Sequence, residues 1–153
     1  MSQKVSRDIP LAEITLRRYE KPYDITDREL VKKVCLSLGL LQPGDSRDVI
    51  VDVLSVLLNA KKRKTLLSSK DIENNVIILR KENNLPLLGI ASSNIRRQIK
   101  RLKDLFLIET IDTSYRIVEF ENLNKIFEEK IESFYLKSIL ARVKEYLQAL
   151  EKE

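Results

Sequence analysis

Residues 92 to 105 carry the side chains whose types and spacing could do chemistry. Ile95, Ile99 and Leu102 recur at helical spacing and Phe106 follows one turn later, which predicts a helix with one buried face. Because a helix turns by about 100° per residue, hydroxyl, amide and cationic side chains fall on its other faces. The candidate binding residues of this helix are Ser92, Ser93, Asn94, Arg96, Arg97, Lys100 and Arg101.

These residue types are the ones that read double-stranded DNA. Short capping residues at the amino end of a helix allow close approach to base edges, Arg can donate two bonds to guanine, and Asn can pair with adenine. Lys secures the register on the phosphates. We therefore expect the segment to be a recognition helix for the major groove, the alternative being a solvated basic surface helix.

The sequence after this helix predicts a β-hairpin. Residues 107 to 111 and 115 to 120 alternate between apolar and polar side chains, and residues 112 to 114 have turn chemistry. Ile111, Ile117 and Tyr115 are expected to pack on the helices. The candidate contacts with the DNA backbone or the minor groove, near the tip, are Thr113, Ser114 and Arg116.

Three helices are expected before this segment. Thr26 and Glu29 form a capping-box pattern for the first helix, and Gly39 ends it. The second is capped by Asp45 or Ser46 and is apolar nearly all round, so we expect it to be central. The third is capped by Ser68 or Ser69 and ends at residues 83 and 84.

Two further basic segments have open interpretations. Residues 1 to 24 could form a strand, a short helix or an arm, and Arg17, Arg18 and Lys21 in it could contact phosphates or form a solvated surface. Residues 61 to 64 are four consecutive cations, which suit the negative end of a helix dipole and also a neighbouring phosphate.

The order of helix, helix, basic helix and hairpin over residues 46 to 120 resembles the winged helix-turn-helix family, with residues 92 to 109 similar to its recognition helix and the start of its wing. The family pattern has Gly where Phe106 stands, which predicts a different exit from the helix. The motifs AEITLRRYEKP (residues 12 to 22), LSLGLLQPGDSRD (36 to 48) and SNIRRQ (93 to 98) are similar to a group of archaeal predicted transcriptional regulators. The resemblance implies a DNA-binding regulator.

The carboxy-terminal segment predicts a long amphipathic helix. From Leu123 to Leu150, apolar residues form one stripe over a length of about 45 Å, which is long for one small domain to cover. We expect a homodimer formed through this helix, with the two recognition helices on successive major grooves. The alternative is packing against its own domain, helped by a bend near Ser133.

Length and composition fit one mainly helical domain with a small β-hairpin. The 153 residues are predicted to divide into an arm and accessory helix (1 to 45), a winged helix-turn-helix domain (46 to 120) and a helical dimerisation segment (121 to 153). The net charge of +5 is consistent with a nucleic-acid partner. We expect no membrane anchor and no signal peptide, and therefore a cytoplasmic protein.

Catalysis has little support in the sequence. The chain has no His, a single Cys expected to be buried, and three Gly that form no phosphate-cradling motif, so we expect neither an enzyme nor a cofactor. Asp45, Asp48 and Asp52 share one helix face, but acidic residues in a first turn are favoured by the helix dipole and predict no metal site. The alternative function is a winged helix used as a protein-interaction module of a transcription or replication assembly.

Overall fold

The fold is mainly helical with a small three-stranded antiparallel sheet, as the sequence predicts, and the computed structural model describes residues 7 to 152 of it. A long amino-terminal arm precedes the first of these elements. In chain order the elements are α1 (Asp27–Ser37), α2 (Val49–Lys62), β1 (Leu67–Ser68), α3 (Ser69–Glu82), α4 (Ser92–Asp104), β2 (Ile108–Ile111), β3 (Ser114–Ile117), a 3-10 turn (Val118–Phe120), α5 (Leu123–Ile126), a π-helical segment (Phe127–Tyr135) and α6 (Leu136–Glu151).

Helix α2 is central, as its apolar sequence predicts. Residues on all sides of it are buried, and α1, α3, α4 and β3 pack around it. Its apolar side chains join those of the neighbouring elements in one core, which extends from Cys35 in α1 to Ile126 in α5. Burial of these side chains is the main source of the stability of the fold.

The sheet has the order β1-β3-β2, with Thr110 opposite Tyr115 and Leu67 opposite the same tyrosine on the other side. The predicted hairpin is present, but its second strand ends at Ile117 and not at residue 120. Glu119 and Phe120 both have positive φ angles, which takes the chain out of the strand conformation and into a tight turn. The short β1 was not predicted.

Four charged side chains form an ion-pair network at the start of α2. Asp52 is fully buried and contacts Arg28 and Arg80, whose Nη1 lies 2.5 Å from its Oδ2. Asp48 pairs with the same two arginines at 3.0 and 3.2 Å. Burial raises the pKa of Asp52, while bonds from the arginines oppose the rise. The interpretation of Asp48 and Asp52 as partners of the helix dipole was therefore incomplete. Both carboxylates also pair with the half-buried Arg28 and the buried Arg80.

The network also corrects the predicted start of α2. The helix begins at Val49, with Asp48 before it and no side-chain cap, because the Asp48 carboxylate accepts bonds from arginines instead. Asp45 and Ser46 were predicted to be the cap and are not. The Asp45 carboxylate accepts a bond of 2.9 Å from the backbone amide of Arg47, in a turn before the helix.

Of the three possibilities for the amino-terminal segment, residues 9 to 26 form an arm without helix or strand, residues 7 and 8 are helical, and residues 1 to 6 lie outside the described part. The Arg17 guanidinium donates to the carbonyls of Leu36 and Leu41, and its amide donates to Ser37. Gly39 ends α1 with a φ of +73°, and a Cβ at this position would lie 2.7 Å from Thr15. Arg17 is thus a structural residue that ties the arm to α1.

The carboxy-terminal helix runs through α5, the π-helical segment and α6 with helical backbone angles at both junctions. Ile126 and Ile131 are buried against the domain, whereas all residues from Leu140 to Leu150 are exposed. The expected bend near Ser133 is a π-helical stretch rather than a fold-back. Over residues 7 to 152, no helix has the length and apolar character needed to cross a membrane.

Candidate nucleic-acid interface

Helix α4 has the buried face that its spacing predicts. Ile95, Ile99 and Leu102 are buried in the core against α2 and α3. Ser93, Arg96, Arg97 and Lys100, which were predicted to face solvent, are exposed. The sequence pattern therefore identifies correctly both the inner face of this helix and the centre of its outer face.

The amino end of α4 differs from the expectation, because its serines do not cap it. The residue before the helix is Ala91, and no side-chain cap is present. Ser92 donates instead to Oε1 of Glu73 in α3, at 2.5 Å, and this bond lowers the pKa of Glu73. A largely covered carboxylate next to the helix start takes the hydroxyl that would otherwise cap it, so Ser92 joins α4 to α3.

Asn94 and Arg101 were predicted to belong to the exposed face, and the structure contradicts this. Both are half-buried. The Asn94 amide donates to the carbonyl of Gly89 at 2.7 Å, and its oxygen accepts from Gln98 at 3.1 Å. The same oxygen accepts a longer hydrogen bond, of 3.4 Å, from the Arg97 guanidinium. Asn94 therefore stabilises the turn before α4 and is not free to pair with a base.

Arg101 reaches sideways to the loop between α1 and α2. Its Nη2 donates to the carbonyl of Leu40 at 2.6 Å, and its Nη1 donates to Gln98 at 2.9 Å. The loop comes within reach only through the tertiary fold, because Leu40 lies 61 positions earlier in the chain. Arg101 thus borders the outer face without belonging to it.

Lys103 is a cation of this face that the sequence analysis missed. It is exposed and lies seven residues after Arg96, so that two turns of helix bring both to the same flank. The seven-residue spacing from Arg96 would have been enough to predict the position of Lys103 from the sequence. Lys100, in contrast, is paired with Asp104 at 2.8 Å, but both side chains are exposed and the pair is easily exchanged.

The hairpin tip is smaller than expected, and Arg116 is not free at it. Only Asp112 and Thr113 separate β2 from β3, with Thr113 exposed and Ser114 half-buried as the first residue of β3. Arg116 pairs with Glu109 across the strands at 2.7 Å and lies over the ring of Phe120 at 4.9 Å. Arg116 is therefore engaged within the hairpin, and its contact with a nucleic acid stays a prediction.

Glu109 shows how firmly this pair is held. Partial burial opposes the charged form, but bonds from the Glu119 amide and from Arg116 outweigh it and lower the pKa of Glu109. The carboxylate sits directly opposite Arg116 in the strand register. Both charges are used to close the hairpin.

The exit from α4 is not altered by the absence of Gly. Phe106 has a φ of +68°, the left-handed conformation that Gly adopts without strain. Its amide donates to Lys103, and the amide of Leu107 donates to Leu102, which is the bonding pattern of a Schellman motif. The different exit predicted for Phe106 was therefore wrong. The aromatic ring at this position packs edge-to-face on Tyr135.

The four cations at residues 61 to 64 end α2, and Lys62, Arg63 and Lys64 are exposed there. Lys61 donates to the carbonyl of Glu121, which ties α2 to the start of the carboxy-terminal segment. Within residues 7 to 152, no group of three or more acidic, His or Cys side chains is placed to hold a metal ion. The exposed chemistry at the carboxyl end of α2 is thus cationic.

Comparison of the chain with protein-family models, curated proteins and solved structures finds no match. The likeness to archaeal regulators therefore stays a prediction. The function has to be inferred from the geometry and charge of α4 and of the elements around it.

Proposed function

We propose that this protein is a sequence-specific, double-stranded DNA-binding transcriptional regulator of the winged helix-turn-helix type, with α4 in the major groove. One observation carries the proposal: α4 buries one face completely and exposes Arg96, Arg97, Lys100 and Lys103 on the others. Its thirteen residues form a cylinder of the width that a major groove admits. Arg can read guanine, and Lys can bind the phosphates.

The arrangement of the neighbouring elements supports the same proposal. Helices α2 and α3 precede α4, and all three pack on one another. The sheet follows α4 directly and includes β1, which lies between α2 and α3 in the chain. This order suits a helix-turn-helix unit with a wing. Because the tip consists of Asp112 and Thr113, the wing offers Thr113 to the adjacent backbone, with the half-buried Ser114 beside it.

A homodimer is the second part of the proposal, and the exposed face of α6 supports it. Tyr146 and Leu150 have 73% and 81% of their surface exposed, although both belong to an apolar stripe. The stripe repeats at intervals of four and three residues, which is the spacing of a coiled-coil seam. Its seam residues are Leu136, Leu140, Val143, Leu147 and Leu150.

The alternative is a protein-interaction module, and one observation favours it. Leu87 and Leu88 precede α4 and are exposed, Leu88 to 71%. Apolar residues at the amino end of a recognition helix suit a protein partner better than a phosphate backbone. The cations outnumber them on this side, however, so DNA is the stronger proposal.

Fluorescence anisotropy of a labelled random-sequence duplex, measured over a range of salt concentrations, tests the proposal. Binding should weaken with salt, with a log-log slope of about −0.9 per phosphate neutralised. The triple variant Arg96→Ala, Arg97→Ala, Lys100→Ala should reduce this slope by about 2.7, with unfolding free energy changed by about 0.5 kcal/mol at most. Selection of bound sequences from a random pool then tests specificity.

A charge-matched control is the variant Lys137→Ala, Lys144→Ala, Lys152→Ala, which removes three exposed cations of α6 and its carboxyl end. It should bind duplex DNA as the unmodified protein does. Equal losses of DNA affinity in both variants would show that the effect comes from net charge and not from the position of the cations on α4. No salt-sensitive binding at all would favour the protein-interaction module.

A further inference from the structure

A second concave site lies on the inner flank of α4, beside the proposed DNA face. It is a groove of about 820 Å³ between the loop that joins α1 to α2, the turn before α4 and the amino-terminal half of α4. Ligand sites in proteins usually have volumes of about 300 to 1,000 Å³. We call it the basic groove because its walls carry the cations Lys32, Arg47, Arg80, Arg97 and Arg101.

The basic groove has an excess of positive charge. Arg80 is neutralised within the ion-pair network by Asp48 and Asp52. Asp45 is the remaining acid of the lining, and the Arg47 amide lowers its pKa, so it is a carboxylate at neutral pH. The lining cations Lys32, Arg47, Arg97 and Arg101 are four against this one carboxylate, which leaves three positive charges. Concave walls of one sign concentrate an oppositely charged solute.

Part of this charge is fixed in position before any ligand arrives. Arg101 is held by Leu40 and Gln98 through two of the five N–H donors of its guanidinium. Arg47 has 90% of its side chain exposed and pairs with Asp45 at 3.3 Å, in a contact that solvent weakens, so its guanidinium can turn to an anion. Guanidinium groups match the oxygens of a phosphate with paired hydrogen bonds. A fixed Arg and an exposed Arg thus line the same groove.

The shape of the basic groove favours a small ligand over a duplex. Its floor consists of buried residues, among them Leu41, Ile50 and Arg80, which is 3% exposed. The phosphates of a duplex lie on a convex surface and could touch only the rim. The exposed Leu88 and the neighbouring Pro86 form an apolar wall that can cover the organic part of a ligand.

We propose that the basic groove binds a small organic anion of about nucleotide size, with its phosphate on Arg47, Arg97 and Arg101 and its organic part on Leu88. Since Arg97 also belongs to the outer face of α4, an occupied groove takes one cation from the DNA face. The site itself does not depend on the proposed function.

Isothermal titration with ADP as the probe tests this site, with adenosine and pyrophosphate as the two halves of the probe. ADP should bind at one equivalent per chain, and adenosine should bind far more weakly. The variant Lys32→Ala, Arg47→Ala should weaken ADP binding by about tenfold or more, because each removes a charge-assisted bond or a nearby charge. The control Lys137→Ala, Lys144→Ala loses the same charge on α6, outside the lining of the groove, and should bind ADP normally.

Three results would overturn the proposal: no saturable binding of ADP or pyrophosphate, equal losses in the control variant, or an ADP affinity unchanged by Lys32→Ala, Arg47→Ala. If that variant instead loses DNA affinity while the unmodified protein binds no ADP, the groove is a backbone contact of the duplex. If the unmodified protein binds ADP but no DNA, the proposed function fails and the basic groove stands.

Discussion

The ring of Phe106 packs edge-to-face on the ring of Tyr135, with centroids 5.1 Å apart and planes inclined at 64°. Phe106 is the first residue beyond the cap of α4, and Tyr135 is the last residue of the π-helical segment. The Tyr135 hydroxyl also bonds both the amide and the carbonyl of Glu13, at 3.1 Å each. One aromatic pair therefore links the exit of α4, the carboxy-terminal helix and the arm.

This contact predicts an unusual order of effects at Phe106. Phe106→Ala keeps the left-handed backbone strain and loses the ring, so it should lower the free energy of unfolding by about 2 kcal/mol. Phe106→Gly also loses the ring but relieves the strain, and should cost about 1 kcal/mol less. Denaturant titration followed by circular dichroism measures both. A larger cost for Gly than for Ala would contradict the role of Phe106 as the helix-ending residue.

The buried network predicts a large effect at Asp52. Asp52→Ala leaves Arg80 buried without one of its carboxylates and should lower the free energy of unfolding by about 3 to 5 kcal/mol. Glu132→Ala, at an exposed position, is the control and should change it by about 0.5 kcal/mol at most. The same denaturant titration applies. A loss below about 1 kcal/mol for Asp52→Ala would mean that Asp48 suffices to pair both Arg28 and Arg80.

The exposed seam of α6 predicts the oligomeric state. Leu140→Glu, Leu147→Glu places two charges in the seam and should convert a dimer to a monomer in size-exclusion chromatography with light scattering. Ala141→Glu, Gln148→Glu adds the same charges on the opposite face and should remain dimeric. A chain ended at residue 120 should also be monomeric. Elution of the unmodified protein as a monomer would contradict the proposal of a homodimer.

Cys35 predicts a pH dependence. Burial raises its pKa to about 12, so at about pH 8 only about one thiol in ten thousand is a thiolate. Reaction with Ellman's reagent should be very slow in the folded protein and should speed up only as the pH rises towards that value. The denatured protein should react completely. Rapid modification of the folded protein near neutral pH would show that Cys35 is accessible.

The sequence allows the faces of α4 to be predicted because helical spacing alone fixes which side chains share an angle. It could not reveal that Arg101 is drawn to Leu40, since angle does not tell which distant loop lies beside the helix. The same holds for Asp52, whose spacing from Asp48 predicts a shared face but whose partners come from α1 and α3. The features of the candidate site that the sequence did not reveal are therefore contacts between residues distant in the chain.

The ends of strands and the shortest elements also could not be predicted from the alternation of apolar and polar residues. β1 has two residues, too few for any alternation, and exists because Leu67 pairs with Tyr115 of β3. The early end of β3 depends on positive φ angles at Glu119 and Phe120, two residue types that give no warning of such a conformation. The hairpin, in contrast, follows from alternation and was predicted correctly in place.

The arm has a consequence for the order in which the molecule is assembled. Glu13 leaves the ribosome early, but Tyr135, to which it bonds, follows 122 residues later. Closing a loop of this length costs more entropy than forming the helices, whose contacts are local. The bond between Glu13 and Tyr135 is thus made late, whereas Arg17 can tie the arm to α1 as soon as Leu36 and Leu41 have been synthesised.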